Sequence, residues 1–229
     1  MPTAIKHKAI IAPSLILASA SPRRAELLSQ AGYRFDIMPS KARELAHRPH
    51  CIPVELWPAC VAFHKALAVA AHAPPGKLIL AADTIVVVDG KILNKAANRA
   101  AARRMLSLLS GKHHRVLTGL ALIGHGQRLM AVAESVLKMR RLRPAELEVY
   151  LDSQLWRGKA GAYGIQDENS GCDPFVHLIS GEWSNVVGLP MHLLRKQLHA
   201  IKQCTLQESL NPMPLRWPRP HQTTALRKP

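Results

Sequence analysis

Apolar positions along the chain fall into short continuous runs separated by segments of helical period. Residues 14–18 read as a buried strand that stops at a cluster of small hydroxyl residues in "LASASPRR". A helix should follow, with Ser21 as its N-cap, Pro22 as its first residue, Leu27, Leu28 and Ala31 on its inner face, and Gly32 at its end. "YRFDIMPS" predicts a second strand, and the polar, proline-broken residues 41–53 predict a loop. From Pro58 to His72 the pattern is helical and apolar nearly all round, with Lys65 its only charged residue, so that helix should be largely buried. "LILAA", Asp83 and "TIVVV" predict a strand, an interruption and a second strand. Asp89-Gly90 then makes a hairpin turn into "KIL".

In the second half, Asn98 caps a helix carrying Met105, Leu106 and Leu109, with Gly111 just beyond its end. "HRVLTGLALIG" and the segment from Ala131 to Met139 read as strands, and Pro144 opens a short helix. A glycine-rich stretch, "RGKAGAYGIQ", precedes the strand-like "FVHLIS" and then "NVVGLP". Pro190 opens the last helix, with Leu193, Leu194, Leu198 and Ile201 on one face. Strands mixed with helices, at both hairpin and crossover spacings, predict an α/β fold with a mixed sheet. The domain occupies residues 14–204, between a short basic N-terminal tail (1–13) and a proline-rich basic tail (205–229) without periodicity, expected to be disordered.

Composition narrows the picture. Among 229 residues, 48% are hydrophobic but only 4% aromatic, so aliphatic side chains must fill the core. No apolar run approaches the ~20 residues of a membrane helix. The start of the chain reads as a basic tail rather than a signal peptide, which favours the cytoplasm. Cys51, Cys60, Cys172 and Cys204 have no metal-like spacing and read as reduced thiols. The formal net charge is +16, and between Asp89 and Glu134 there are eight Lys or Arg and no acidic residue. Such a field attracts polyanions, whether nucleotides, nucleic acid or anionic lipid.

Four features can carry chemistry. Ser19, Ser21, Arg23 and Arg24 gather hydroxyls and guanidinium forks at a helix start, where free N–H groups and the dipole favour phosphate; an ordinary cap with solvated arginines is the alternative. Asp83 interrupts an apolar run, where a carboxylate serves as a metal ligand, as a base toward water, or as half of a structural ion pair. Lys65 and Lys95 are isolated cations that either reach an anion or snorkel. "GAYGIQ" combines glycines that permit close approach with Gln166, whose amide can read a base edge; a plain turn is the bland counterpart. His113 and His114 are adjacent on a strand and point to opposite faces, so they do not share one metal ion.

In their order, the blocks "LASASPRRAELL", "AADTIVVVDGKILNK", "LLSGKHHRVLTGLAL", "GKAGAYGIQ" and "SNVVGLP" resemble the Maf (septum-formation inhibitor-like) nucleotide pyrophosphatases from about Leu15 to Leu198. The resemblance implies a mixed twisted sheet with flanking helices in two lobes around a cleft, related to the inosine triphosphatase type. It implies hydrolysis of a nucleoside triphosphate to the monophosphate and pyrophosphate, with Mg²⁺ or Mn²⁺, by a homodimer. Arginine directly after Ser-Pro resembles the subgroup acting on dTTP and UTP; a related subgroup prefers other, including methylated, nucleotides. Carried over by motif, Asp83, Lys65 and Lys95 are catalytic, Ser19, Arg23, Arg24, Thr84 and Gln166 bind substrate, and Asp83 with Glu44 holds the metal. The chain departs from the family pattern at Ala82 (commonly glycine), at Asn94-Lys95-Ala96 (commonly Gly-Lys-Pro) and at Arg43-Glu44 (commonly Asp-Glu). The changed acidic loop at Arg43-Glu44 and the proline-rich basic tail motivate a rival reading, a catalytically weak or inactive Maf-like protein acting as a nucleic-acid-binding or regulatory module through its basic surface.

Overall fold

The computed structural model describes residues 14–43, 45, 47–167 and 175–210, the last nine as backbone. A single mixed sheet forms its centre. Strands β1 (Leu15–Leu17), β2 (Phe35–Ile37), β3 (Leu78–Val88), β4 (Lys91–Leu93), β5 (His113–Gly124), β6 (Gln127–Met139) and β7 (Val176–Ser180) take the order β2-β1-β3-β5-β6-β7, with β4 also on β3. β2, β1 and β3 run parallel, and every other pairing is antiparallel. Helices α1 (Pro22–Gln30), α2 (Trp57–Ala70), α3 (Arg99–Leu109), α4 (Pro144–Asp152), α5 (Trp183–Val187) and α6 (Met191–Leu210) complete the fold.

β3 organises the molecule because both of its faces are covered. Strand alternation sends Ile79, Ala81, Ile85 and Val87 toward α2, where they meet Ala62, Ala66, Val69, Trp57 and Val61. Leu78, Leu80, Ala82, Val86 and Val88 face the other way, into a larger core with Leu27 and Leu28 of α1, Leu106 and Leu109 of α3, and Leu194 and Ile201 of α6. A strand buried on both faces reads as a continuous apolar run, and β3 does so apart from Asp83 and Thr84.

Those two residues lie in a gap. β1 pairs with β3 only at Leu78, Ile79 and Leu80, and β4 pairs along the same edge only at Val86, Val87 and Val88. Residues 81–85 between them have no strand neighbour on that side, while β5 pairs along the whole opposite edge. The expected interruption at Asp83 is therefore absent: β3 runs unbroken from Leu78 to Val88, and the break falls in its neighbours. The Asp89-Gly90 turn forms as expected, both residues at positive φ, +48° and +72°.

α2 lies unusually close to the sheet. A Cβ on Gly119 of β5 would stand 2.1 Å from the Ala59 nitrogen and 2.1 Å from the Pro58 carbonyl carbon. Gly119 pairs with Asp83 in the ladder, so the residue that admits the helix adjoins the one the helix serves. Three boundaries differ from the pattern-based ones: β2 is shorter than "YRFDIMPS", β6 begins at Gln127 rather than Ala131, and α6 reaches Leu210, past Thr205. "NVVGLP" contains most of α5, held by buried Asn185. Among the described residues no helix is long and apolar enough to cross a membrane.

Candidate active site

The gap beside β3, between β1 and β4, opens into a cleft of about 530 Å³. One wall is the β1–α1 turn, from Ala18 to Arg24, and the opposite wall is the glycine-rich stretch from Arg157 to Gln166. Ser19, Arg23, Arg24, Lys65, Asp83, Thr84, Lys95 and Gln166, eight residues singled out by sequence, all line it. Glu44 lies outside the described residues, as do Cys172 and the residues after Leu210.

At the start of α1, Ser21 occupies the N-cap position, but its side chain makes no capping hydrogen bond. Its backbone N–H instead donates to Ser19 Oγ at 3.2 Å. The first N–H groups of α1 thus have no side-chain cap, beside a cleft bordered by Ser19, Ser21 and Pro22.

Arg24 differs from its expected role as a free phosphate fork. Its Nε donates to the Gly188 carbonyl at 2.7 Å, one terminal nitrogen to Ser19 Oγ at 3.1 Å and the Ala82 carbonyl at 2.8 Å, and the other to Thr84 Oγ1 at 3.2 Å. The Ala82 carbonyl belongs to the unpaired edge of β3, so the guanidinium satisfies a group the gap exposes. Burial lowers the Arg24 pKa, Asp83 opposes that shift and Arg23 adds to it. The side chain stays charged, an arginine property that burial does not remove. Arg24 therefore gives the cleft a fixed positive field while bolting α1, β3 and the α5–α6 turn together. Arg23 is freer, with one bond from a terminal nitrogen to the Gly158 carbonyl at 3.3 Å.

On the α2 face, Lys65 Nζ stands 2.5 Å from Asp83 Oδ1, with side chains 25% and 19% exposed. No other hydrogen bond reaches the Asp83 carboxylate among the described residues, so Oδ2 remains open. Thr84, one residue on, faces the opposite layer, and its hydroxyl meets that of Thr118 at 3.0 Å. Lys95 is fixed through its backbone: it bridges to Ala160, and the Gly161 N–H donates to the Asn94 carbonyl at 3.1 Å. The loop with Asn94-Lys95-Ala96 is thereby clamped to the glycine-rich wall, and Lys95 reaches the cleft without an ion-pair partner among the described residues.

Sequence reasoning passed over several contributors. Arg157 and Lys159 line the cleft beside Gly158 and Ala160, within or next to the "GKAGAYGIQ" block, whose glycines and Gln166 are the only features that pattern picks out. Asp167 anchors this wall, accepting from the Lys159 ammonium, from Tyr150 Oη at 2.6 Å and from the Gly164 N–H at 2.9 Å. Beneath it, Tyr163 meets buried His114 at 2.6 Å; burial lowers the His114 pKa to about 4 and raises that of Tyr163. His113 is exposed on the other face, as strand alternation requires.

Six cationic side chains line the cleft (Arg23, Arg24, Lys65, Lys95, Arg157 and Lys159), and Asp83 is the one carboxylate among its described lining residues. A cavity so charged accepts a compact polyanion, and its one carboxylate faces that anion. For a divalent cation the donor set fits in a specific way. Among the described residues no group of three or more His, Cys, Asp or Glu is gathered, so the chain offers no complete cage. One carboxylate oxygen beside a polyphosphate is the arrangement Mg²⁺ uses, with substrate oxygens and water filling its remaining positions.

Fold and cleft together define an α/β protein with a cationic cleft suited to a polyanion, and the comparisons give its family. A profile of the Maf-like protein family matches residues 14–201. The dTTP/UTP pyrophosphatase of Symbiobacterium thermophilum is 45% identical over 78% of this chain and 89% of its own length. That of Novosphingobium aromaticivorans is 43% identical over 82% and 92%, and that of Pyrococcus abyssi 44% over 79% and 92%. A solved nucleoside-triphosphatase / dITP/XTP pyrophosphatase from Mycobacterium abscessus overlaps loosely, with a TM-score of 0.37 and 16% identity over 86% of this chain and 98% of that one. The chain belongs to the Maf-like protein family.

Proposed function

We propose that this protein is a nucleoside triphosphate pyrophosphatase that hydrolyses dTTP and UTP to the monophosphate and pyrophosphate, acting with Mg²⁺ or Mn²⁺ as a cytoplasmic homodimer. The observation that carries this reading is the cleft with six cations around one carboxylate. Hydrolysis of a polyanion needs a base or a metal ligand among the cations, and Asp83 is the one carboxylate among the described lining residues. The relatives named as dTTP/UTP pyrophosphatases supply the substrate class.

The triphosphate lies over the start of α1 and along Lys65, Lys95 and Arg23, with Arg24 contributing its field from behind. Gln166, on the opposite wall, reads the base. Asp83 orients a water at the α-phosphorus and takes its proton. The water oxygen bonds to phosphorus, the bond to the bridging oxygen breaks, and pyrophosphate departs with its charge held by the lysines. Lys65, already in contact with Asp83, has a second anionic neighbour once substrate is bound and so ties the carboxylate to the phosphates. Asp83 Oδ2 is the oxygen that would hold a divalent cation, with Glu44 as a further donor. When bound, that cation neutralises phosphate charge and lowers the pKa of water. Positioning and charge neutralisation carry most of the catalysis.

The test is pyrophosphate release from a panel of canonical and modified nucleoside triphosphates with Mg²⁺ and with Mn²⁺. Turnover of dTTP and UTP above the rest is the expected result. Tight, steeply salt-dependent DNA binding without turnover would overturn the reading.

A further inference from the structure

Thr118 is fully enclosed and sits directly opposite Thr84 in the β3–β5 ladder. Its one hydroxyl proton has two neighbours: the Asn185 carbonyl at 3.0 Å, which can only accept, and Thr84 Oγ1 at 3.0 Å. The carbonyl takes that proton, so in the bond between the two threonines Thr84 is the donor. Asn185 is itself immobilised, 0% exposed, with Nδ2 donating to the Val116 carbonyl at 3.1 Å and to Ser135 Oγ at 2.8 Å. The end of the chain of hydroxyls cannot turn away.

Thr84 Oγ1 also accepts from Arg24 at 3.2 Å. A hydroxyl has one proton and two lone pairs. The Thr84 proton is committed to Thr118 and one lone pair to Arg24. What Thr84 can offer the cleft it lines is the second lone pair. It presents an acceptor and no donor.

We propose that Thr118 is a positioning residue that fixes the polarity of the Thr84 hydroxyl, so that the site selects a nucleoside bringing a hydrogen-bond donor to Thr84 and rejects one bringing an acceptor. This rests on the reading of the cleft as a nucleotide site. Two groups of a dTTP- or UTP-like substrate carry such a donor: the imide N–H of the base and the sugar hydroxyl. Cytosine has a bare ring nitrogen where uracil has the imide N–H. Against Thr84 it would set acceptor to acceptor, which costs more than a bond merely left unmade.

The test compares dissociation constants, by calorimetry with Mg²⁺, of the α,β-methylene analogues of UTP, CTP and 3′-deoxy-UTP, which resist cleavage at the α-phosphorus. Wild type, Thr118→Val, Thr118→Ser and Thr84→Val are measured, and UTP turnover is followed separately. Thr118→Val keeps the shape and loses the hydroxyl, freeing the Thr84 proton to turn toward the cleft. The preference for the UTP over the CTP analogue should fall about tenfold, the scale of one hydrogen bond of reversed sense. Thr118→Ser should restore it, and Thr84→Val should lose it even if Thr118→Val does not fold. If the donor is the sugar hydroxyl, the penalty for 3′-deoxy-UTP shrinks instead, which equally supports the proposal. Equal weakening of all three analogues in Thr118→Val and Thr84→Val would overturn it. Preference shifts without UTP turnover would sink the pyrophosphatase reading and leave the role of Thr118 standing; no analogue binding to wild type would sink both.

Discussion

The Lys65 ammonium and the Asp83 carboxylate meet at 2.5 Å across two layers of the fold, one carried by α2 and the other by the middle of β3. Their contact joins a helix that reads as core to a strand that reads as core at the one place where each carries a charge. If Asp83 is the base, Asp83→Asn should lower pyrophosphate release by about 10²-fold or more. Lys65→Met should lower it as well, and the double variant should fall short of the product of the two losses, because the residues act as one unit. Steady-state kinetics on the four forms checks this; turnover near wild type in Asp83→Asn removes that residue from the chemistry.

Arg24 donates to four acceptors contributed by three segments, the β1–α1 turn, β3 and the α5–α6 turn. Lysine carries its charge at a point and cannot reach them together. Arg24→Lys should therefore destabilise the protein by ~3 kcal/mol, the scale for leaving buried acceptors unpaired. Arg23→Lys, at a looser site with one long bond, should leave the urea midpoint almost unchanged. Equilibrium unfolding of the two variants side by side separates a bolt from a free ligand.

Gly119 leaves no room for a methyl group, because what it meets is the backbone of α2. Gly119→Ala should cost ~3 kcal/mol or more, at the upper end of overpacking effects. Variants that still fold should bind nucleotide more weakly, since displacing α2 carries Lys65 away from Asp83. Thermal unfolding with and without nucleotide tests both effects.

His114 is 3% exposed, and burial lowers its pKa from 6.5 to about 4. The unfolded chain therefore takes up a proton at a pH where the native protein does not. Nothing is lost above about pH 6.5, and stability falls as pH drops toward 4, by ~3 kcal/mol in total from this residue. Glu146, held low by its bonds to Arg143 and Arg140, also loses stability on acidification. Comparing the unfolding free energy of wild type and His114→Gln from pH 7 to pH 4 isolates the histidine. The variant should show the shallower fall.

Much of this was legible in the order of residues. β1, α1, the Asp89-Gly90 hairpin and the Asn98 cap follow from local rules, and the Asn98 side chain does accept from the Ala101 N–H, at 2.9 Å. Asp83 was visible as a charge among apolar neighbours, but its setting was not. A strand carries no mark of where its neighbours stop, so the polar pair Asp83-Thr84 looked like a break in β3 rather than a gap beside it. Arg24 reads like Arg23 in sequence, and only the fold supplies the Ala82 and Gly188 carbonyls that distinguish them. Thr118 and Asn185 fall within the quoted blocks "LLSGKHHRVLTGLAL" and "SNVVGLP", but nothing in their local pattern sets them apart as polar groups buried beside the site. Their role depends on a ladder register and on α5, both properties of the assembled chain.

The open stretch of β3 also sets the size of the chamber. β1 and β4 are three residues each, and five positions of β3 lie between their pairings. Lengthening either strand by two residues would pave over two of those five positions with backbone. Insertions should accordingly be tolerated in the outer loops and fatal at these two strand ends, where the molecule keeps a ladder deliberately short of its rungs.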